Sequence, residues 1–437
     1  MLGIPFLDDA ISKWFKPQTF DDPVDRLNYF ITSTLLTFFA LMVSAKQYVG
    51  SPIQCWMPME FKGGWEQYAE DYCFIKNTYF IPFEDQIPES LDDRVEAEVN
   101  YYQWVPIVLA LQAIMFYIPN WIWKTLHQQS GIDLSTAVTD ARGLRTMRSS
   151  DRGTETKRLA TYVSECLELK EKRRSHRRVF VFRFGKGLGS YVSCLYLFVK
   201  LLYVINIFAQ FTILNNFLSS DNYQVGTWYG FSAFQELWNG DIVSENSYAS
   251  KIFPRVTMCD FKVRRLANIH RYTVQCVIMI NMFNEKIYLF IWFWFVFVII
   301  STIINFLYCL ATIGIFNVRV RTVKSMLKHT GNESLDNEVI RRFVNDGLRP
   351  DGCLLLRFIE GHAGAIVARE ISTALYREYL EHLSGKCGPG SHSTESTTPG
   401  LEDGFSESYD EAKMKTPLIA PPMSVMSYPG PPKPKGI

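Results

Sequence analysis

The sequence predicts an all-α membrane protein with four transmembrane helices and with both termini on the cytoplasmic side. Two observations predict this fold class: four long uncharged apolar stretches, and an uneven distribution of Lys and Arg among the segments between them. The composition of the whole chain conceals the stretches, because 20% of its 437 residues are charged. We further expect two disulfide-braced extracellular loops and a helical cytoplasmic domain.

The clearest membrane stretch runs from Tyr101 to Trp123 and contains 23 residues without a charge. At about 1.5 Å of rise per residue, a helix of this length covers the roughly 30 Å hydrocarbon layer of a bilayer. Tyr and Trp side chains collect at both ends, where such rings lie at the membrane interfaces. Uncharged runs of 19, 20 and 32 residues follow Arg26, Lys200 and Lys286 and complete the set of four.

The orientation follows from the Lys and Arg counts of the connecting segments. Segment 124–190 has 15 Lys/Arg and 7 Asp/Glu, whereas segment 47–102 has 3 Lys/Arg and 11 Asp/Glu. Basic residues favour the cytoplasmic side, so 124–190 is predicted to be inside and the two flanking loops outside. The first apolar run begins late, after an acidic stretch, which argues against a cleaved signal peptide.

These patterns divide the chain into ten predicted segments. They are an N-terminal amphipathic segment (1–26), transmembrane helices (27–45, 103–123, 191–220 and 287–316), extracellular loops (46–102 and 221–286), a cytoplasmic loop (124–190), a cytoplasmic helical domain (317–384) and a disordered tail (385–437). The tail assignment rests on composition, since 27 of its 53 residues are Pro, Gly, Ser or Thr. A segment of this composition has too few apolar side chains to form a core.

The N-terminal segment has an apolar stripe at helical spacing: Ile4, Leu7, Ile11, Trp14 and Phe15. A stripe of this kind is typical of a helix that lies on the inner leaflet. It equally suits a helix that folds into the mouth of a pore. The residues alone leave both interpretations open.

Each predicted extracellular loop contains two cysteines: Cys55 and Cys73 in the first, and Cys259 and Cys276 in the second. Cysteines in an oxidising compartment usually pair, and four cysteines allow three pairings. Cys55 and Cys276 lie near the membrane and the other two lie farther out, so matching depth predicts Cys55 with Cys276 and Cys73 with Cys259. One bridge within each loop is the alternative.

Polar residues inside or beside the apolar stretches are expected to have structural roles and not to form a transport site. Lys200 is expected to reach the cytoplasmic headgroups, and Asn206, Gln210 and Asn305 to make hydrogen bonds between helices. The chain contains no His-Glu-x-x-His, Cys-x-x-Cys or Gly-x-Ser-x-Gly motif. We therefore predict no enzyme activity, no catalytic residues, no metal or cofactor, and no nucleic-acid partner.

The motif Tyr101-Tyr102-Gln103-Trp104-Val105-Pro106 resembles the opening of the second membrane helix of innexins, the invertebrate gap-junction subunits. Two stretches of the outer loops, Gly50 to Trp56 and Phe253 to Phe261, also resemble the corresponding loops of innexins. The family's two cysteines per loop are also present. The resemblance extends from the first membrane helix to the cytoplasmic domain.

The resemblance implies a large-pore channel that passes ions and small metabolites between adjacent cells. Its subunits form a ring, of eight by family analogy, either as a homo-oligomer or together with other innexins. The ring contacts membrane lipids and docks with the hemichannel of the adjacent cell in a gap junction of the plasma membrane. The N-terminal segment then lines the pore through residues that include Met1, Leu2, Ile4, Asp8 and Asp9, and the two aspartates favour cations.

Two other functions remain open at this point: an unpaired surface hemichannel, and a tetraspan adhesion or scaffolding protein without a channel. The glycosylation motifs bear on the choice. The one Asn-x-Ser/Thr motif, at Asn332, falls in the predicted cytoplasmic domain, so the outer loops are predicted to carry no N-glycan. Pannexins, which resemble this layout, carry glycans there.

Overall fold

The computed structural model describes residues 21–82, 85–127, 134–172, 190–218, 229–239, 252–327 and 336–386. Its helices are α1 (Pro23–Tyr48), α2 (Gly63–Lys76), α3 (Leu91–Glu96), α4 (Val105–His127), α5 (Leu134–Leu144), α6 (Ser149–Lys172), α7 (Tyr191–Leu218), α8 (Tyr229–Asn239), α9 (Met279–Gly314), α10 (Phe316–Leu327), α11 (Asn337–Arg342), α12 (Arg349–Ala363) and α13 (Ala365–Lys386). Its strands are β1 (Ile53–Cys55), β2 (Thr78–Tyr79), β3 (Glu98–Val99), β4 (Val256–Arg265) and β5 (Asn268–Ile278).

Four of these helices, α1, α4, α7 and α9, are long and apolar enough to cross a membrane. Each packs on the next in chain order, and α9 also packs on α1, so the four form a bundle. Large apolar side chains such as Phe38, Leu111 and Phe297 remain more than half exposed on the outside of this bundle. The fold class predicted from the sequence, a four-helix membrane protein, is confirmed.

The fourth membrane helix begins two turns earlier than the predicted residue 287. Strand β5 ends at Ile278 and α9 starts at Met279 without a loop between them. Glu285 and Lys286, which mark the boundary in the sequence, lie inside this helix. Glu285 accepts hydrogen bonds from Arg255 and Lys286, both at 2.9 Å, and these partners allow the charges to lie within a helix. The start of α1 at Pro23 likewise precedes the predicted residue 27.

The two outer loops share one antiparallel sheet, a feature that the sequence pattern does not predict. Its order is β1-β5-β4-β2-β3, so strands of the first loop flank the hairpin of the second loop on both sides. The hairpin pairs from Val256 with Val277 to Arg265 with Asn268. Leu266 and Ala267 form its turn, both at positive φ (50° and 67°), as a two-residue hairpin turn of type I′ requires.

A second compact region contains helices from both cytoplasmic segments. Helix α5 packs against α12, and α6 packs against α13. Their shared core is apolar, with Val138, Leu144, Ile359 and Ile371 all buried. The cytoplasmic loop and the helical domain, which the sequence analysis treated separately, therefore form one unit. The predicted disordered tail lies outside the described residues from residue 387 onward.

Candidate channel and docking site

Two disulfides join the first outer loop to the second. Cys55 bonds to Cys276 and ties β1 to β5, and Cys73 bonds to Cys259 and ties α2 to β4. This is the depth-matched arrangement, and it leaves none of the four cysteines for a bridge within one loop. The Sγ atoms of Cys55, Cys73 and Cys276 lie within 4.8 Å of one another, so the bridges are adjacent. Each stabilises the folded unit by about 2–4 kcal/mol.

The carboxylate of Asp260 on β4 is a second link between the loops. It accepts hydrogen bonds from Arg94 at 2.7 Å, from Tyr79 at 3.2 Å and from Thr273 at 2.6 Å. Burial raises the pKa of this carboxyl, but the hydrogen bonds from Thr273 and Arg94 outweigh it and hold the pKa below its usual value. The same surroundings, burial first and then the Asp260 charge, raise the pKa of Tyr79 to about 12.

The motif before the second membrane helix attaches the outer-loop unit to the bundle. Tyr101 donates a hydrogen bond to the Ile252 carbonyl at 2.9 Å, and the fully buried Tyr102 donates to the Phe74 carbonyl at 3.3 Å. Gln103 Nε2 donates to the Phe74 carbonyl at 2.6 Å and to Asn77 Oδ1 at 2.7 Å. The bonds from Tyr102 and Gln103 satisfy groups at the C-terminal end of α2, where the helix has unsatisfied carbonyls.

Two further residues of that motif have other surroundings. Pro106 lies in the first turn of α4 and is buried, at a position where its missing N–H costs nothing. Trp104 is 57% exposed at the same end of the helix, as expected for a ring at the outer membrane interface.

At the opposite end of the bundle, Lys200 of α7 is buried, with only 3% of its side chain exposed. Its Nζ contacts Asp22 Oδ2 at 2.6 Å and Asp25 Oδ1 at 2.8 Å. The expectation that Lys200 reaches the headgroups is wrong, since two carboxylates at the start of α1 satisfy the ammonium inside the protein. The sequence signal was present in the aspartates that precede the first apolar run, but no spacing rule links them to a lysine 175 residues away.

Asp22 also connects this ion-pair cluster to α9. Asn305 Nδ2 donates to Asp22 Oδ2 at 2.9 Å, and the Tyr196 hydroxyl donates to the same oxygen at 3.3 Å. Farther along α9, Thr312 accepts a hydrogen bond from Arg357 of α12, and the Arg357 guanidinium lies 4.6 Å from the centre of the Tyr308 ring. A chain of contacts thus extends from the start of α1 to the cytoplasmic helices.

Comparison with known proteins decides the family. The family model described as Innexin matches residues 21–379. The chain belongs to the innexin family. It is 52% identical to Innexin-3 of Caenorhabditis elegans over 424 residues, which cover 96% of this chain and 98% of the relative. It is 41% identical to Innexin unc-9 of the same organism over 370 residues, which cover 84% and 94%.

As an innexin, the chain is a gap-junction channel subunit and a multi-pass protein of the plasma membrane at cell junctions. Family membership favours neither the adhesion protein nor the scaffolding protein. It points to a channel family without enzymatic chemistry.

The predicted pore-lining residues and the polar residues of the membrane helices of this innexin remain to be placed. The predicted pore-lining residues Met1, Leu2, Ile4, Asp8 and Asp9 lie outside the described residues. Asn305 makes the expected contact between helices. In contrast, Asn206 Nδ2 and the side-chain amide of Gln210 are buried without a hydrogen-bond partner among the described residues. The backbone carbonyl of Gln210 accepts a hydrogen bond from Gln112 Nε2 at 3.5 Å.

Proposed function

We propose that eight copies of this innexin form a ring around a central pore, and that two such rings from adjacent cells dock through their outer-loop units. Ions and small metabolites then pass from one cytoplasm to the other. The observation that carries this proposal is the preformed outer unit: two disulfides and a five-stranded sheet hold both loops as one body. A rigid surface avoids the ordering cost that flexible loops would incur on docking.

We further propose that residues 1–16 line the cytoplasmic part of the pore. Their apolar stripe packs against the ring, and Asp8 and Asp9 face water. The ion-pair cluster supports this proposal, because Asp22 fixes the point where the N-terminal segment leaves the bundle. Deleting residues 2–16 is expected to change the unitary conductance while surface rings still form. Unchanged conductance and ion selectivity would favour the leaflet anchor.

The number of subunits is tested directly by particle images of the purified, detergent-solubilised full chain. Rings with eightfold symmetry are expected. A single other symmetry would refute the subunit number without affecting the docking proposal.

A glycan placed on the hairpin tests docking. Asn268 is exposed at the tip, and His270→Thr creates an Asn-Ile-Thr acceptor there. A glycan at this position is expected to abolish current between paired cells and to leave hemichannel current in single cells intact. The matched control combines His270→Thr with Asn268→Gln and carries no glycan, so coupling should persist. Coupling between cells in which mass spectrometry shows Asn268 fully glycosylated would contradict docking through this surface.

A further inference from the structure

The tip of the β4–β5 hairpin is strongly basic. Lys262, Arg264, Arg265 and Arg271 lie within ten residues that contain no Asp or Glu. All four side chains are exposed, and none forms an ion pair with any residue that the structure describes. The hairpin therefore carries a concentrated positive charge that no described residue of its own chain pairs with.

The strand register makes this charge unfavourable for the isolated chain. Lys262 lies directly opposite Arg271 across the hairpin, and like charges in such a pair destabilise a sheet. Asp260 is the nearest carboxylate along that face of β4, but it already forms an ion pair with Arg94 at 2.7 Å. Relief of the repulsion has to come from outside this face of the hairpin.

An acidic patch lies in the same unit, at the start of α2. It comprises Glu60, which precedes the helix, and Glu66 in its first turn. Glu60 and Glu66 are exposed and have no ion-pair partner among the described residues.

The two patches are neighbours, but no ion pair joins them among the described residues. The Arg265 guanidinium lies 5.5 Å from the centre of the Trp65 ring, which places the start of α2 beside the hairpin tip. The buried Phe261 faces α2 through Phe61. Because side chains alternate along a strand, Lys262 points to the opposite face, together with its cross-strand partner.

Both patches lie at the outer end of the unit. Strand β5 has 11 residues, so the tip lies about 35 Å from the start of α9. Two apolar side chains there are almost completely exposed, Met59 at 99% and Leu266 at 89%. Exposed apolar groups beside uncompensated charges are typical of an interaction surface.

We propose that the occupant of this surface is a second copy of the chain in the opposing ring. The basic hairpin tip of one chain contacts the acidic start of α2 in the other, and a two-fold axis repeats the contact in reverse. One surface with adjacent patches of opposite sign suits such a self-complementary interface. This inference rests on the docking proposed above and adds to it the residues and charges that select the partner.

Two variants reverse one patch each. The tip variant combines Lys262→Glu, Arg264→Glu and Arg271→Glu; it keeps a like-charge pair at positions 262 and 271 and so preserves the repulsion within the hairpin. The helix variant combines Glu60→Lys and Glu66→Lys. A double variant contains both sets. The control, Glu89→Lys with Asp92→Lys, changes exposed acidic residues of the first loop that lie away from α2 in the sequence.

Junctional conductance is measured between paired cells, each expressing one form. The tip variant paired with itself, and the helix variant paired with itself, should each lose at least about tenfold of the wild-type conductance, because like charges then meet twice. The tip variant paired with the helix variant should recover, since every contact is again between opposite charges. The double variant should couple to itself and fail to couple to wild type, and the control should couple as wild type does.

Other outcomes overturn the inference. If the patches meet between neighbours in one ring, the tip and helix variants will not rescue each other and the double variant will couple to wild type. Equal conductance in all pairings of surface-expressed variants would show that these charges do not select the partner. A wild-type pair without conductance would instead refute the docking itself, so the two failures are distinguishable.

Discussion

Replacing Lys200 with Met is expected to destabilise the protein strongly, because it leaves two carboxylates without a counter-charge. The Lys200 side chain is 3% exposed, and its Nζ lies 2.6 Å from Asp22 Oδ2 and 2.8 Å from Asp25 Oδ1. Removing one partner of a buried ion pair costs about 3–5 kcal/mol. The substitution retains the length and the apolar stem of the side chain, so the loss reports the charge rather than the packing.

The assay is the thermal unfolding of the detergent-solubilised chain, followed by the loss of the ring peak in size-exclusion chromatography. The midpoint should fall by on the order of 5 °C or more. A triple variant that adds Asp22→Asn and Asp25→Asn removes the orphaned charges and should recover most of the loss. Lys157→Met is the matched control, since Lys157 is exposed and forms no ion pair with a described residue, and it should change the midpoint little.

An unchanged midpoint of thermal unfolding for Lys200→Met would show that the Lys200 ammonium is hydrated and that its ion pairs do not contribute to stability. A triple variant no more stable than the single variant would show that the loss comes from packing. Either result would refute the argument from buried charge.

Three further predictions concern the outer unit. Cys73→Ser with Cys259→Ser should remove about 2–4 kcal/mol of stability, and non-reducing peptide mapping of the wild type should recover Cys73 linked to Cys259; recovery of Cys55 linked to Cys73 would contradict the structure. Because Asp260 has a pKa below its usual 3.8 in the folded state, its contribution is present at neutral pH and lost as the pH falls through that lowered value. The stability difference between wild type and Asp260→Asn should therefore be constant above about pH 5 and shrink in stronger acid, and a difference that grows on acidification would reverse the sign. Gln103→Ala removes the donor to Asn77 Oδ1 and leaves the Phe74 carbonyl with only the longer hydrogen bond from Tyr102, so it should cost about 1–3 kcal/mol. The exposed Trp104→Ala should cost less; equal losses would show that the motif acts through packing alone.

The membrane helices were predictable because length and the absence of charge are local properties of the sequence. The start of the fourth helix was not predictable, because the charges of Glu285 and Lys286 end the apolar run in the sequence whereas the helix continues through both residues. Only the contact of Glu285 with Arg255, 30 residues away, shows why a helix tolerates them.

The outer sheet escaped sequence analysis for a different reason. Strands β2 and β3 have two residues each, too few to show an alternating pattern. The ion-pair cluster also depends on contacts distant in the sequence, as Lys200 and Asp22 are 178 residues apart. In contrast, the depth of each cysteine relative to the membrane is a local quantity, and it sufficed to match Cys55 with Cys276.

The most direct test of the central claim is a dual whole-cell recording from paired cells that lack other junction proteins and express only this innexin. The account predicts a transjunctional current with discrete unitary steps, which disappears when one cell of the pair does not express the chain. Robust hemichannel currents in single cells without coupling in any pair, including pairs with cells that express other innexins, would contradict it.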